Sequence, residues 1–155
     1  MIAKISKEKL PLTPEEYGKY YKICDALPFA FTDIEMVFDK EKKAVDWIFR
    51  YGNEALATLE KLPLDKMIGS SFSSLFSNMD SKWLQGYERA TLYGETLEII
   101  DYSPEIDTNL KIICFPTFPG HCGCILFNAD KMRYIKDGNN LVRWVIVSMK
   151  SDFAK

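Results

Sequence analysis

The chain has 155 residues, of which 47% are hydrophobic, 14% aromatic and 27% charged, and its 20 basic and 22 acidic side chains give a formal net charge of −2. This length fits one domain with a full hydrophobic core, and the composition is that of a globular protein rather than a disordered chain. The charge balance argues against nucleic acid as a partner, because phosphate binding needs clustered Lys and Arg. No apolar run approaches the roughly 20 residues that span a bilayer, and no signal-peptide core opens the sequence. We therefore expect no membrane association and a cytoplasmic location.

The first predicted element is an N-terminal helix. Thr13 is suited to be its N-cap, Pro14 its first residue and Glu16 the third, which together form a capping box. An aromatic stripe follows at helical spacing, made of Tyr17, Tyr20, Tyr21 and Cys24. Such a stripe needs a partner surface, and we expect Pro28 to end the helix.

Two strands should follow the helix. Residues 29–38 and 45–51 are rich in aromatic and β-branched side chains, and the charged residues 39–43 separate them as a hairpin turn would. In the second strand, alternation predicts one apolar face, formed by Val45, Trp47, Phe49 and Tyr51.

Helices are predicted for the middle of the chain and strands for the part that follows. Asn53 is suited to cap a helix over residues 54–61, a short helix should cover 71–76, and a longer one should run over 81–93 with Gly94 just past its end. Residues 96–102, 110–115 and 122–127 then have the composition of strands. Strands at both ends with helices between them predict an α+β architecture, a five-stranded antiparallel sheet with helices on one face.

The tail is apolar on every side over residues 139–150, whether it is taken as helix or as strand. Such a segment must be buried against the domain or against a second copy. Its β-branched content leaves helix and strand both open.

Four stretches of the chain carry a set of features in a fixed order. They are YGNEALATLEKLP, MIGSSFSSLF, LEIIDYSPEI and PTFPGHCGCILF. The features are an asparagine that opens the helix after the second strand (Asn53), an Ile-Gly pair (Ile68, Gly69), a Tyr-Ser-Pro at the end of the third strand (Tyr102 to Pro104) and a Pro-Gly hairpin turn (Pro119, Gly120). With these features the chain resembles PAS domains of the type found in bacterial diguanylate cyclases and sensor histidine kinases.

The resemblance divides the chain into an N-terminal flanking helix (1–27), a PAS domain (28–128) and a C-terminal extension (129–155). It implies a sensory fold whose N-terminal helix packs on the open face of the sheet or in a dimer interface. We therefore assign a dimer or partner surface to Tyr17, Tyr20, Tyr21 and, from the tail, Trp144. The expected partners are a second copy of the chain or a signalling partner domain. The tail departs from the family pattern, because no Asp-Ile-Thr motif leads from the last strand into an output domain.

The resemblance also implies a cavity between the long helix and the sheet. Arg50, Trp83 and Tyr87 are its candidate ligand-binding residues, although aromatic residues at helical spacing are more often plain core. A flavin sensor would carry a cysteine in a Gly-Arg-Asn-Cys-Arg-like helix start, and a haem sensor a histidine on the long helix. The sequence has neither, so it supports no flavin and no haem and leaves an unidentified small ligand.

The thiols raise an alternative of a different class. Cys122 and Cys124 are two residues apart and share one face of a predicted strand, with Cys114 expected across from Cys124 and His121 adjacent. This group could build a metal-thiolate site or a small α+β enzyme, although a Cys-x-Cys pair lacks the spacing of structural zinc sites. The common nucleophile, metal and phosphate motifs are absent from the sequence. We therefore predict a non-enzymatic sensory or interaction module, without a metal.

Overall fold

The computed structural model describes residues 6–77, 81–136 and 142–146, and it describes 133–136 and 142–146 by their backbone alone. Five strands form one antiparallel sheet in the order β2-β1-β5-β4-β3. They are β1 (Ala30–Phe38), β2 (Ala44–Gly52), β3 (Leu97–Ser103), β4 (Thr108–Pro116) and β5 (His121–Asn128). The predicted α+β architecture is confirmed, and the succession of two strands, helices and three strands is the one that the resemblance to PAS domains implies.

Five α-helices are described. They are α1 (Pro14–Tyr20), α2 (Glu54–Glu60), α3 (Leu64–Met67), α4 (Phe72–Leu75) and α5 (Ser81–Tyr93). The capping box of α1 is present, since the Glu16 amide donates to Thr13 Oγ1 over 3.2 Å and the Thr13 amide donates to Glu16 Oε1 over 2.9 Å. The helix is shorter than its aromatic stripe predicts, because the chain tightens after Tyr20 into a 3₁₀ turn over Lys22–Cys24.

Asn53 connects three parts of the fold and is only 2% exposed. Its Oδ1 accepts from the amides of Leu56 and Phe31, both at 3.1 Å, so it caps α2 and holds β1 at the same time. Its Nδ2 donates to the carbonyls of Cys24 and Phe29 at 3.1 and 3.0 Å. The predicted cap is therefore confirmed, and it also ties the N-terminal segment to the sheet.

A β-bulge at Arg50 changes which side chains of β2 share a face. Asp33 of β1 pairs with Tyr51 and the next residue, Ile34, pairs with Phe49, so Arg50 is an extra residue in β2. A bulge of this kind interrupts the alternation of side chains. Trp47 and Phe49 belong to the core on one face of the sheet, whereas Tyr51 belongs to the core on the other.

A second register shift, next to Val37 of β1, leaves Val45 as an extra residue that is 46% exposed. The prediction that Val45, Trp47, Phe49 and Tyr51 form one apolar face is therefore wrong at both ends, and correct for Trp47 and Phe49.

The two faces of the sheet carry separate cores. Helices α2 to α5 cover one face, which we call the helix face, and its core includes Ile34, Trp47, Leu56, Trp83 and Ile112. The N-terminal segment, residues 6–27, covers the other face, which we call the N-terminal face, over Phe31, Tyr51 and Phe118.

The tail forms strands where the structure describes it. Strand β6 (Met132–Lys136) pairs antiparallel with β7 (Val142–Ile146), which places Tyr134 opposite Trp144. Residues 142–146 are therefore a strand, whereas the sequence alone left helix and strand both open. The burial predicted for residues 139–150 concerns side chains that lie outside the described part. None of the described helices combines the length and hydropathy needed to cross a membrane.

Candidate functional site

A small cavity lies between the sheet and helices α2, α4 and α5. Its volume is about 20 Å³, which is enough for about one water-sized group. Most of its wall is apolar or aromatic, contributed by Ile34, Trp47, Phe49, Leu56, Phe72, Leu110, Ile112 and Leu126. Its other lining residues are Thr32, Glu60, Trp83, Tyr87, Glu105 and Cys124.

Three polar groups of this cavity have no hydrogen-bond partner. They are the Oε2 atoms of Glu60 and Glu105 and the indole N–H of Trp83. Glu60 is 6% exposed and Trp83 is 2% exposed. A buried polar group without a partner costs roughly 1–3 kcal/mol, so these atoms mark the place where a bound group would be most favourable.

Burial raises the pKa of Glu60 to about 8, and the neighbouring Glu105 adds to this rise. The other carboxyl oxygen of Glu105 accepts from the Ser103 hydroxyl within the turn between β3 and β4. The two carboxyl groups therefore interact across the cavity, and at neutral pH the deeper one holds a proton. The cavity therefore carries two acidic side chains, and no Lys, Arg or His is among its lining residues.

Two of the three residues that we named as ligand-binding candidates line this cavity. Trp83 and Tyr87, both on α5, line it, and the Tyr87 ring meets the Trp47 ring edge-to-face at 5.1 Å. Burial raises the pKa of the Tyr87 hydroxyl well above its ordinary value.

Arg50 is not among the lining residues, which corrects its predicted place. It forms an ion pair with Glu35 at 2.7 Å, and Glu35 follows Ile34 on the opposite face of β1. The physical reason is alternation along β2, because the preceding residue, Phe49, lines the cavity and the next side chain points to the opposite face.

The thiols lie on the helix face of the sheet and His121 lies on the other. Cys114 pairs directly with Cys124, as predicted, and the sulfur atoms of Cys122 and Cys124 are 4.0 Å apart. His121 belongs to the opposite face because it directly precedes Cys122 in the strand. Among the described residues, no group of three or more His, Cys, Asp or Glu side chains is placed to hold a metal ion.

Hydrogen bonding to Cys122 together with burial raises the pKa of Cys114, and burial raises that of Cys124. High pKa values make thiols poor nucleophiles and poor metal ligands. The described geometry therefore gives no support to the alternative of a metal-thiolate site or enzyme.

His121 instead holds the N-terminal segment to the sheet. Its Nδ1 donates to the Pro119 carbonyl over 2.9 Å, which leaves Nε2 to accept from the Tyr17 hydroxyl over 2.7 Å. Burial lowers the pKa of His121 and raises that of Tyr17 to about 12, so both groups stay neutral near pH 7.

A second buried polar contact lies beside the first. The Tyr21 hydroxyl donates to Asp33 Oδ2, and the Thr117 hydroxyl donates to Asp33 Oδ1 over 3.0 Å. Asp33 is 0% exposed, and burial raises its pKa to about 7 although both hydrogen bonds act in the opposite direction. A third contact joins the Tyr51 hydroxyl to Asp25 over 2.6 Å. These contacts and the surrounding aromatic rings dock residues 14–25 on the N-terminal face.

The residues that we assigned to a dimer or partner surface are therefore used within the chain. Tyr17 is 1% and Tyr21 5% exposed, and the ring centroid of Tyr20 lies 5.0 Å from that of Phe118. Their partner surface is the sheet of the same chain, which is one of the two uses that the resemblance implies. The side chain of Trp144 lies outside the described part of the chain.

A more open groove of about 400 Å³ lies at the border of the N-terminal segment. Lys7, Leu10, Glu35, Phe38 and Leu92 are among the residues that line it. Its size is that of a small-molecule pocket, and one buried polar atom without a partner, Thr91 Oγ1, belongs to its lining residues, compared with three in the cavity.

Sequence reasoning did not find Glu60, Glu105 or Asp33. A signal existed for Glu60, because this carboxylate stands at helical spacing from Leu56 on the apolar face of α2. Asp33 gave no clear signal, because Thr32 and Glu35 are also polar residues of the same strand. Nothing in the sequence distinguished Glu105 from the other acidic residues of its turn.

Comparisons with known proteins add little beyond the fold. No protein-family model matches the sequence, and no curated protein matches it. Among solved structures, the chain is similar to one described as "Structure of an RNA-binding Light-Oxygen-Voltage Receptor", with 15% sequence identity and a TM-score of 0.47. The match covers 82% of this chain and 37% of that one, so this chain spans little more than a third of the length of that receptor.

Proposed function

We propose that this chain is a non-enzymatic sensory and interaction module of a bacterial signalling protein that acts in the cytoplasm. Residues 28–128 are its PAS domain, and residues 1–27 and 129–155 are the flanking segments. The cavity on the helix face receives the signal, a small ligand. A second copy of the chain or a signalling partner receives the response through the flanking segments.

The observation that carries this proposal is the cavity itself. Buried polar atoms of α2, of α5 and of the turn between β3 and β4 meet there without partners. A fold that needed this space only for packing would fill it with apolar side chains, since each unpartnered atom lowers its stability. The four stretches that resemble PAS domains and the order of the elements agree with a sensory use.

The N-terminal segment is the element whose docking a ligand would change. It is held on the sheet by a small number of hydrogen bonds and by the aromatic contacts around Phe118, and it covers apolar side chains that would otherwise be exposed. A ligand shifts such an equilibrium only by its difference in affinity for the two states. A ligand that fits the cavity better when the segment is released would thereby expose a surface for a partner.

Hydrogen exchange measured by mass spectrometry tests this coupling. The variant Leu110→Phe fills the cavity, and the control Ile100→Phe adds a ring on β3 at a side chain that is 59% exposed. We expect the amides of residues 14–25 to exchange about tenfold faster or slower in Leu110→Phe than in the wild type, while those in the centre of β5 keep their protection. Ile100→Phe should leave both regions unchanged.

The proposal is wrong if, in both variants, the exchange rates of the amides of residues 14–25 change only as much as the change in global stability explains. Native mass spectrometry of gently purified protein, at several concentrations, adds the copy number and the mass of any retained ligand. A strict monomer whose copy number responds to neither variant would contradict the part of the proposal that concerns self-association.

A further inference from the structure

Three polar groups that line the cavity have no partner within the protein. They are Glu60 Oε2 on α2, the indole N–H of Trp83 on α5, and Glu105 Oε2 in the turn between β3 and β4. Glu60 is 6% and Trp83 2% exposed, so their polar atoms are cut off from bulk solvent. A single species that bonds to all three groups would remove the cost of burying them.

The three groups differ in what they need from such a species. The Trp83 N–H is a donor only and needs an acceptor. The Oε2 atom of Glu105 needs a donor, because the hydroxyl of Ser103 already bonds to the other oxygen of this carboxyl group. Burial raises the pKa of Glu60 to about 8, so its carboxyl group holds a proton at neutral pH and donates as well as accepts. The occupant must therefore both accept and donate.

This requirement and the size of the cavity define the occupant. A cation has no lone pair to accept from Trp83, and a simple anion has no hydrogen to donate to Glu105. The volume of about 20 Å³ admits one group of the size of a water molecule. Cavities that stay dry are lined by apolar groups, whereas a buried water typically makes about three hydrogen bonds to polar groups that lack other partners.

We propose that the cavity holds one internal water molecule, hydrogen-bonded to Trp83, Glu60 and Glu105. Its oxygen accepts from the indole N–H and from the carboxyl group of Glu60, and one of its hydrogens is donated to Glu105 Oε2. The water thereby joins α2, α5 and the turn after β3. The inference goes beyond the proposed function, since the water occupies the site when no ligand does. A ligand that replaces it has to match its size and supply an acceptor to Trp83.

Oxygen-17 magnetic relaxation dispersion of the full chain in solution tests the inference, because it counts long-lived internal waters and does not respond to labile protons of side chains. Leu110→Phe places a ring in the cavity, and Cys124→Val adds a smaller group at another lining residue and keeps the test open if the first variant fails to fold. We expect each variant to lose one long-lived water relative to the wild type. The exposed control Ile100→Phe should lose none.

The indole N–H resonance of Trp83 in a nitrogen-15 spectrum locates the water. The chain has three Trp residues, so Trp83→Phe assigns this resonance by its disappearance. Selective excitation of water should give a rotating-frame Overhauser effect at the Trp83 indole proton, with the sign of a direct contact rather than of chemical exchange. The effect should vanish in Leu110→Phe. It should persist in Glu60→Gln, whose amide still bonds to the water but has no acidic proton that could relay exchange.

The inference is overturned if Leu110→Phe and Cys124→Val keep as many long-lived waters as the wild type, or if the Trp83 indole proton shows no direct contact with water. Either result would mean that no water is held among the three polar groups. The hydrogen-exchange experiment on residues 14–25 measures a different quantity, so the loss of the internal water would leave a measured coupling between the cavity and the N-terminal segment intact.

Discussion

Two acidic residues lie in the interior on opposite faces of the sheet, and both have raised pKa values. Asp33 lies beneath the N-terminal segment with a pKa of about 7, and Glu60 lies in the cavity with a pKa of about 8. In both cases the largest cause is burial, which disfavours the charged form. The folded protein therefore binds protons at these two sites more tightly than the unfolded chain does.

This difference predicts that the free energy of unfolding falls as the pH rises. The unfolded pKa values are near 3.8 for Asp33 and 4.5 for Glu60, so the favourable contribution is complete below these values. It is lost as the pH rises to about 7 for Asp33 and about 8 for Glu60. Each group contributes a slope of at most about 1.4 kcal/mol per pH unit within its own interval. Urea denaturation at pH values from 5 to 9 measures this fall.

Single amide variants separate the two contributions. Asp33→Asn should remove the part of the slope that ends near pH 7, and Glu60→Gln the part that ends near pH 8. Asp130→Asn changes an acidic side chain on the surface and should keep the full slope. A wild-type free energy of unfolding that stays constant or rises across this range would show that the two carboxyl groups are ionised in the folded state.

The bulge in β2 is the main element-scale difference between expectation and structure. Because Arg50 is an extra residue, Phe49 faces the helices and Tyr51 faces the N-terminal segment. Tyr51→Ala removes the ring that the bulge turns toward the N-terminal segment, together with its hydrogen bond to Asp25. We expect a loss of about 3 kcal/mol or more in the free energy of unfolding, the cost of removing a buried aromatic ring.

Arg50→Ala is the matched control for this substitution. It keeps Tyr51 and removes only the ion pair with Glu35, whose two side chains are 21% and 28% exposed. Partly exposed ion pairs contribute about 1 kcal/mol or less. Chemical denaturation of the two variants should therefore give clearly different midpoints, and equal midpoints would mean that the Tyr51 ring contributes no more than the ion pair.

Two glycines provide a second comparison at this scale. A Cβ on Gly123 would lie 2.8 Å from the Phe115 ring and from the Thr117 methyl group, whereas a Cβ on Gly18 would meet nothing within 4 Å. Gly123→Ala should cost about 1–3 kcal/mol, because the ring and the Thr117 bond to Asp33 must both shift. Gly18→Ala should stabilise by roughly 0.5–1 kcal/mol through helix propensity alone. Thermal unfolding should therefore give a lower Tm for Gly123→Ala and a higher Tm for Gly18→Ala than for the wild type.

The sequence predicted those elements whose signals are local. The capping box of α1, the Asn53 cap, the glycine after α5 and all five strands of the sheet follow from residues that are adjacent in the chain. The bulge could not be predicted, because it depends on pairing between β1 and β2, whereas in the sequence the residues Val45, Trp47, Phe49 and Tyr51 still recur at every second position. The residues that lie next to Glu60, Asp33 and His121 come from distant parts of the chain, and only the folded sheet brings them together.

At the scale of the whole molecule, the four thiols differ in accessibility. Cys114, Cys122 and Cys124 are buried beneath the helices, and only Cys24, near the end of the N-terminal segment, is partly exposed. We expect a thiol reagent to label one cysteine of the native protein, and the other three only as fast as the protein unfolds. Cys24→Ser should abolish the early phase. Rapid labelling of two or more thiols, or zinc bound in stoichiometric amount, would revive the metal-thiolate alternative.

The bulged strand also has a mechanical consequence. Phe49 borders the cavity and Tyr51 binds Asp25 of the N-terminal segment, yet only one residue separates them along the backbone. Arg50 is the residue between them, and it stands outside the paired register of β1 and β2. A displacement of Phe49 would therefore reach Tyr51 by rotation about a few backbone bonds at Arg50, without any strand having to slide.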